Sequence, residues 1–345
     1  MQTKVRVWFN RWFSVAYHYM NAIRNNPDGI AVEIYGTHPD IRHMSLQACD
    51  YAEVEPVLDD DAYVDFCVNF CKQHKIDVFI PRLKMLQIAK AIHLFDEIGT
   101  KVIVCRDVSL LEQLMDKSLF YESVREKDVM VVPDYYVVND GEGFKHAYEK
   151  LIARGHRVCI KPTNGEGGVG FRIIDNNRDP FADLLGVSNK YVSYEEVSRI
   201  LSGVGKFDDL MVMELLDGLE YSIDCLSDPE GNLLAAVPRR KAGGRLRLME
   251  NVPELIDIAK RVANTYKIPY NFNIQMKYRE GVPKLLEINP RMSGGLHVTC
   301  LTGINFPYLA VKLALGERVD VQSPRYNLLA SHVEMPMLMK DVSNN

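Results

Sequence analysis

Glu287 and Asn289 stand two residues apart in KLLEIN (284–289), a run that reads as a β-strand, so both side chains leave one face. The run YNFNIQMKYR (270–279) reads as its partner across the turn EGVP. Gln275 and Glu287 are equidistant from Gly281, and a turn centred on that glycine sets them opposite each other. One face then offers an amide, a carboxylate and a second amide, oxygen donors of the kind magnesium takes. Arg291 follows just past the strand end. A bare E-x-N is equally ordinary turn chemistry; the opposed Gln and the run EINPR make the combination more specific.

A second cluster begins at Lys161, near the end of the strand RVCIKP (157–162) and before TNGEGGVGF (163–171). A lysine under a flexible, amide-rich segment containing Gly165, Gly167, Gly168 and Gly170 is a way to hold phosphates; a plain glycine hairpin loop is the alternative. The pattern GxxxxGK[ST] is absent and the lysine precedes the glycines, so this is no Walker loop. Lys117 lies on a presumed helix within 108–126, where a lone lysine is ordinarily a surface charge. In VMELLDGLEYSID (212–224), Glu214 ends an apolar run whose backbone suits a flat pocket for a base. Glu220 and Asp224 share a strand face; Glu220 can accept ribose hydroxyls, or the pair can belong to a solvated sheet edge. PRRKAGGRLR (238–247) holds five basic residues. It reads as a solvated or disordered loop, or as an arm that meets a carboxylate or polyphosphate with arginine forks. Arg240 from this segment joins Lys161 and Arg291 as a catalytic candidate. The amides of Ser293-Gly294-Gly295 suit an anion at a helix start. No zinc spacing and no GxSxG elbow occur.

The elements that must position these residues alternate over the first hundred positions. Strands at 4–9, 30–35, 76–81 and 101–105 are separated by helices at 15–24, 61–75 and 85–98, which predicts a mostly parallel open sheet covered on both faces. No GxGxxG follows the first strand; NRWFS (10–14) occupies that turn. One or two amphipathic helices follow at 108–126, with Asp107 or Ser109 as a cap. Then come strands at 135–138, 157–162 and 171–174 and a helix near 143–154. Residues 175–209 are the least informative, with a helix near 194–201. Strands at 210–216, 220–227 and 233–239 form an antiparallel meander, and a helix at 253–265 precedes the hairpin.

Composition fits this reading. The chain has 345 residues, 47% hydrophobic and 25% charged, enough for roughly two domains of about 150 residues and against a disordered or fibrous protein. Its 41 basic and 46 acidic residues lack the excess positive charge of a general nucleic-acid binder. Seven widely spread cysteines without CxxC argue for reduced thiols and a cytoplasmic location. Lys4, Arg6 and Arg11 break the apolar opening, so a signal peptide is not expected. The run from Met292 to Val311 lacks Asp, Glu, Lys and Arg, but its glycines, Asn305 and Pro307 predict a loop and buried helices rather than a membrane span.

Taken in order, these motifs resemble the ATP-grasp superfamily, in particular its carboxylate–amine ligases and carbamoyl-phosphate-synthetase-like members. The likeness runs from the 76–105 region to about residue 320. It implies an α/β plus α+β fold: a Rossmann-like preliminary domain at 1–107, an N-terminal lobe with a glycine-rich flap at 108–213 and a C-terminal lobe at 214–345, the two lobes built on antiparallel sheets. It implies ATP, with Mg2+ or alternatively Mn2+. By the resemblance Lys117 and Lys161 contact phosphates, and Gly165, Glu166, Gly167 and Gly168 belong to the flap. Glu214, Leu215 and Leu216 meet adenine, and Glu220 holds ribose. Gln275, Glu287 and Asn289 fall on the metal positions, and Arg291 faces the transferring phosphate. The implied activity is amide or peptide bond formation through an acyl phosphate, with small carboxylate and amine substrates, no nucleic acid or membrane partner, and a homodimer as a possible assembly. Bicarbonate-dependent carboxyphosphate formation is the enzymatic alternative, and a nucleotide-binding regulator or scaffold the non-catalytic one. NRWFS and 175–209 match nothing in the family pattern and leave the acid and the amine open.

Overall fold

The computed structural model describes residues 4–164, 168–185, 190–334 and 336–339. The chain divides into two units. The first comprises residues 1–112, 220–275 and 288–345, and the second 113–219 and 276–287.

The first unit opens with the expected alternation: β1 (Val5–Asn10), α1 (Ala16–Arg24), β2 (Val32–His38), β3 (Tyr51–Val54), α2 (Asp60–His74), β4 (Val78–Ile80), α3 (Met85–Lys90), α4 (Ile92–Glu97), β5 (Lys101–Val102) and α5 (Val108–Met115), which runs on into the second unit. The strands form a parallel sheet in the order β3-β2-β1-β4-β5. The chain grows outward from β1 toward β3, then returns to the other side of β1 for β4 and β5. The topological switch therefore lies between β1 and β4, where open α/β sheets take ligands at their strand carboxyl ends. Period-two alternation divides β1 between two cores. Trp8 stacks on Phe70 of α2 and Phe79 of β4, with ring centroids 4.4 and 4.1 Å away. Val7 and Phe9 join the core that holds α1. The helix predicted over 85–98 is two helices, broken at Ala91, which has left helical geometry (φ −102°, ψ 21°).

The second unit contains α6 (Lys117–Glu126), β6 (Tyr135–Asp140), α7 (Gly141–Ala153), β7 (Val158–Pro162), β8 (Arg172–Ile174), α8 (Pro180–Leu185), β9 (Tyr191–Val192), α9 (Tyr194–Val204) and β10 (Lys206–Glu214). Its sheet runs β6-β10-β7-β8-β9, antiparallel except at β8–β9. Phe144, Ala147 and Leu151 of α7 and Val197 of α9 pack on Val158, Ile160 and Val212.

The chain then returns through β11 (Glu220–Ser227), β12 (Leu233–Lys241), β13 (Arg247–Met249), α10 (Pro253–Tyr266), β14 (Tyr270–Arg279), β15 (Val282–Asn289), α11 (Leu296–Thr299), α12 (Phe306–Ala314) and β16 (Leu328–Ala330). The strand order is β15-β14-β11-β12-β13-β16, and the far end of the β14–β15 hairpin, 276–287, is counted with the second unit. Glu280 and Gly281 both have positive φ, +51° and +80°, the geometry of a two-residue type I′ turn. The uncharged run 292–311 folds as short helices, as predicted, and among the described residues no helix is long and apolar enough to cross a membrane.

One correction concerns 238–247. Its two ends are strand, since Pro238–Lys241 complete β12 and Arg247 begins β13, and only 242–246 between them form a largely exposed turn. Arg239 is buried and donates from Nε to Asp224 Oδ2 (3.1 Å) and Thr299 Oγ1 (2.9 Å), and from Nη2 to Ser293 Oγ (3.2 Å). Ser293 and Asn273 in turn donate to Asp224 Oδ1. Breaking such a pair strands a buried charge. Arg239→Met is expected to cost about 3–5 kcal/mol of unfolding free energy, read from denaturant melts; a wild-type midpoint would mean that Asp224 is satisfied by its neutral donors alone.

Candidate functional site

Within the second unit, Lys161 is positioned by strand alternation. Val158 and Ile160 of β7 enter the helix-covered core, so Cys159 and Lys161 leave the opposite face, in register with Met213 and Met211 of β10. Lys161 Nζ lies 3.4 Å from both the Tyr121 hydroxyl and the Leu286 carbonyl oxygen, and 5.3 Å from the centre of the Tyr121 ring. Asp116 starts α6 by accepting from the amides of Ser118 (2.8 Å) and Leu119 (3.1 Å), which makes Lys117 the first helical residue. The Lys117 amide donates to the Thr163 carbonyl (3.3 Å), tying the helix start to the chain leaving β7. Lys117 Nζ lies 3.8 Å from Glu287 Oε2. Residues of β7, α6 and β15 thus form one cluster of two ammonium groups and a carboxylate over a buried phenol.

Burial, and then repulsion from Lys117, bring the Lys161 pKa down to about 8. Burial and Glu287 push Tyr121 well above its ordinary value, so it stays a neutral donor, shared between the Leu285 and Leu286 carbonyls at 2.8 Å each. The sequence offered no signal for Tyr121, since its partners lie in a strand more than 160 residues away.

Gly165, Glu166 and Gly167 fall outside the described residues. Gly168 and Gly170 follow with φ +75° and +76°, and Gly168 has nothing within 4 Å of where a Cβ would stand. The loop's described end therefore has the left-handed backbone that glycine makes cheap.

Glu214 is fully buried at the end of β10. Its Oε1 accepts from the Asp134 amide (2.8 Å) and from Lys284 Nζ; Oε2 lies 3.4 Å from Arg279 Nη1. The side chain is thus committed to structure, and Lys284 and Arg279, which the sequence did not single out, balance its charge. The Leu215 amide is also spent, on the Arg157 carbonyl (2.7 Å). Leu215 and Leu216 are buried.

The remaining predicted residues lie in the first unit. Arg291 donates from Nη1 to the Met292 carbonyl and from Nη2 to Asn289 Oδ1, each 3.1 Å, and its guanidinium lies 5.4 Å from the centre of the Phe13 ring. Phe13 belongs to the NRWFS turn, so that turn meets the proposed catalytic arginine. Glu220 is paired with Lys241. Gln275 is half-buried on β14. Arg240 grips Glu250 with a fork, Nε to Oε2 at 2.7 Å and Nη2 to Oε1 at 3.3 Å, and Glu250 also accepts from Tyr221 (2.9 Å). Burial raises the Glu250 pKa, but these bonds outweigh it and hold the carboxyl below its ordinary value.

The donor chemistry fits a hard divalent cation. Glu287, in the second unit, is a carboxylate, and Gln275 and Asn289, in the first, are amides; oxygen donors of these kinds are what magnesium takes, commonly one or two carboxylates with water and phosphate completing its shell. Among the described residues no group of three His, Cys, Asp or Glu could hold a metal ion, so a dedicated all-protein cage is not present there.

Comparison with known proteins agrees with this architecture. Residues 206–336 match the family model described as ATP-grasp in the biosynthetic pathway with Ter operon. The arginine-specific large chain of carbamoyl phosphate synthase from Geobacillus stearothermophilus is 25% identical over 236 residues, covering 64% of this chain and 21% of that protein. This chain therefore spans about a fifth of that curated relative's length. The biotin carboxylase domain of Hydrogenobacter thermophilus 2-oxoglutarate carboxylase has a similar fold: TM-score 0.66, 17% identity, 94% of this chain and 73% of that one covered. N5-carboxyaminoimidazole ribonucleotide synthetase from Thermotoga maritima gives TM-score 0.64 at 16% identity over 93% and 78%. The parallel Rossmann-like sheet and the sheets that follow it have their place in the fold of these solved structures, and residues 206–336 match an ATP-grasp family model.

Proposed function

We propose that this chain uses ATP to convert a carboxylate into an acyl phosphate and passes the acyl group to an amine. The observation that carries the reading is the cluster of Lys117, Lys161 and Glu287 over Tyr121: two cations fit phosphate oxygens, and one carboxylate fits a metal that accompanies them. In the first step a carboxylate oxygen attacks the γ-phosphorus, the bond to the β-bridging oxygen breaks, and ADP leaves with that electron pair. In the second an amine nitrogen attacks the acyl carbon, the C–O bond to phosphate breaks, inorganic phosphate leaves, and the amine's proton passes to solvent. Lys117 and Lys161 neutralise phosphate oxygens, and Arg291 serves the transferring group with its planar fork. Glu214 to Leu216 serve adenine through backbone groups other than the Glu214 and Leu215 amides, which the Asp134 and Arg157 carbonyls hold; Glu220 serves ribose, and the loop from Gly165 to Gly168 excludes water from the acyl phosphate. Arg240 acts on the acid only by exchanging Glu250 for it. Glu287, with Gln275 and Asn289, would hold Mg2+ or Mn2+, which when bound offsets phosphate charge. The division into a preliminary domain and two lobes, at 1–107, 108–213 and 214–345, belongs to the same reading, as do a cytoplasmic setting and homodimer formation.

A second reading replaces the organic acid with bicarbonate. It is favoured by the carbamoyl phosphate synthase and biotin carboxylase names among the similar proteins. ADP release across a panel of acids, with and without amines, separates the two. Release that needs an organic acid supports ligation, release with bicarbonate alone supports carboxyphosphate formation, and no release with any acid refutes both.

Lys161 adds a pH test. A buried lysine with a pKa near 8 keeps its proton less readily folded than unfolded. The cost of burying its charge is therefore fully present below pH 8 and is relieved as pH rises from about 8 toward 10.5. A phosphate beside it favours the charged form, so ATP binding near pH 8.5 should take up a substantial fraction of a proton. Uptake should fade below about pH 7, where the lysine is already charged. Calorimetry in buffers of different ionisation enthalpy measures this; uptake independent of pH from 7 to 9 would remove Lys161 from the phosphate site.

A further inference from the structure

In the first unit, the chain beyond Arg291 is held from behind by one carboxylate. Asp224 of β11 is fully buried, and each of its oxygens accepts twice. Oδ1 takes Ser293 Oγ (2.6 Å) and Asn273 Nδ2 (3.0 Å); Oδ2 takes Thr299 Oγ1 (2.5 Å) and Arg239 Nε (3.1 Å). An ionised carboxylate has about four acceptor positions, so Asp224 is saturated and offers nothing to a metal or a ribose. Ser293 and Thr299 bracket the turn that leads through α11, which this one side chain therefore straps at both ends. A Cβ on Gly295, between them, would run into the Arg239 guanidinium, so the backbone lies directly on the ion pair. Ser293 is held a second time, from α1, where the Tyr19 hydroxyl donates to its carbonyl. Burial, and then Asp224, push the Tyr19 pKa well above its ordinary value, which keeps the phenol a donor. A buried ion pair is a weak source of net stability, since apolar groups of the same volume often do as well. What this one supplies is direction.

We infer that Ser293 is a positioning residue for Arg291, with Asp224 and Tyr19 as its anchors. The inference rests on the phosphoryl transfer proposed above and deepens the role given there to Arg291. The link is one peptide plane. The Met292 carbonyl, the Ser293 nitrogen and the Ser293 Cα share it, so fixing Ser293 fixes the carbonyl. That carbonyl accepts from Arg291 Nη1 (3.1 Å), while Nη2 is set by Asn289 Oδ1. Two oxygens thus aim the guanidinium, and Ser293 locates one of them. With Ser293 released from its anchors the peptide can turn, and the fork loses one of the two points that define its plane. A misplacement of about 1 Å at a reacting group can cost about 10²-fold in rate. A network that only stabilised the fold would behave differently: Ser293 would then change how much protein is folded, not how fast the folded molecule works.

The test uses the full chain with magnesium, in both directions. In reverse, the phosphoryl group of acetyl phosphate or carbamoyl phosphate passes to a terminal oxygen of the ADP β-phosphate. The bond from phosphorus to the acyl oxygen breaks, the carboxylate leaves with the electron pair, and ATP is counted. Forward, ADP release is followed with the acid of the panel that the wild type turns over. Ser293→Ala deletes the hydroxyl on Asp224, and Tyr19→Phe deletes the hold on the Ser293 carbonyl. Each should lower kcat about tenfold or more, with the KM for nucleotide within about twofold and normal melting. The deciding measurement is the double variant. Arg291→Lys has already lost the plane that Ser293 sets, so adding Ser293→Ala should lower kcat by no more than about threefold further. Independent multiplication, about 10³-fold in all, would mean that Ser293 acts on something other than Arg291 and overturns the inference. Wild-type kcat in both normally melting single variants overturns it too, as does a loss of kcat that the unfolded fraction accounts for. In each of these cases the ATP reading stands. No reaction of the wild type in either direction overturns the parent reading, and this one with it.

Discussion

Arg291→Lys is expected to lower turnover by about 10²-fold or more while leaving ATP affinity within a few-fold and the melting temperature nearly unchanged. The expectation follows from the shape of the group. Its two terminal nitrogens hold Asn289 Oδ1 and the Met292 carbonyl, each at 3.1 Å, so the plane of the guanidinium is fixed by its own loop. Pro290 restricts the backbone between Asn289 and Arg291. A lysine can replace the charge and one of these bonds, but not the plane, and a point charge aligns a phosphoryl oxygen and a developing oxyanion less well than a fork does. Preserved melting separates this role from a structural one, because a guanidinium needed for the fold would lower melting and ATP affinity together. Single-turnover acyl-phosphate formation, trapped with hydroxylamine, completes the comparison. A destabilised variant with normal chemistry per folded molecule would retire the catalytic role of Arg291.

What the sequence revealed of this protein follows the range of the interactions involved. The parallel sheet was legible because each strand is a short apolar run and each helix carries its own 3.6-residue stripe, as Val64, Cys67 and Cys71 do on α2. Among the elements missed are two short strands, β3 at the edge of its sheet and β13 between β12 and β16. YAEV of β3 is largely exposed, and RLM of β13 has three residues in a segment dominated by positive charge. Neither carries enough alternation to register. The basic segment misled because adjacent arginines look alike in sequence: Arg239 is buried on Asp224, whereas Arg240 faces Glu250. The site residues read from motifs, Lys117, Lys161 and Glu287, do stand in one cluster. Tyr121, Lys284 and Arg279, which support that cluster and Glu214, were illegible because tertiary pairing alone gives them a partner. The hairpin shows the limit of symmetry arguments. Its turn is Glu280–Gly281, centred before Gly281, so a strictly regular ladder pairs Gln275 with Leu286 and not with Glu287. In β15, moreover, burial skips from Leu285 to Ile288, a break in the two-residue period that counting from a turn cannot foresee.

Glu287→Gln is expected to cost about 10²-fold or more in turnover and to move the magnesium requirement upward, with the fold intact. The substitution keeps the volume and one oxygen, and removes the negative charge that lies 3.8 Å from Lys117 Nζ. Its effects on the two ligands should have opposite signs. Lys117 and Lys161 lose an opposing charge, so a nucleotide without metal should bind as well as before or better, whereas the metal loses the one carboxylate of its proposed set. Glu287 also favours the charged form of Lys161. Its removal should therefore carry the Lys161 pKa further below about 8 and move the pH window of proton uptake on ATP binding downward with it. Three readouts on one variant thus come from one missing charge: turnover against magnesium concentration, metal-free ADP affinity, and proton uptake against pH. Lys117 distinguishes this from a general loosening of the site, because Lys117→Met should weaken nucleotide binding with and without magnesium alike. Wild-type turnover of Glu287→Gln at limiting magnesium would place the metal elsewhere and leave Glu287 as a counter-charge for the two lysines.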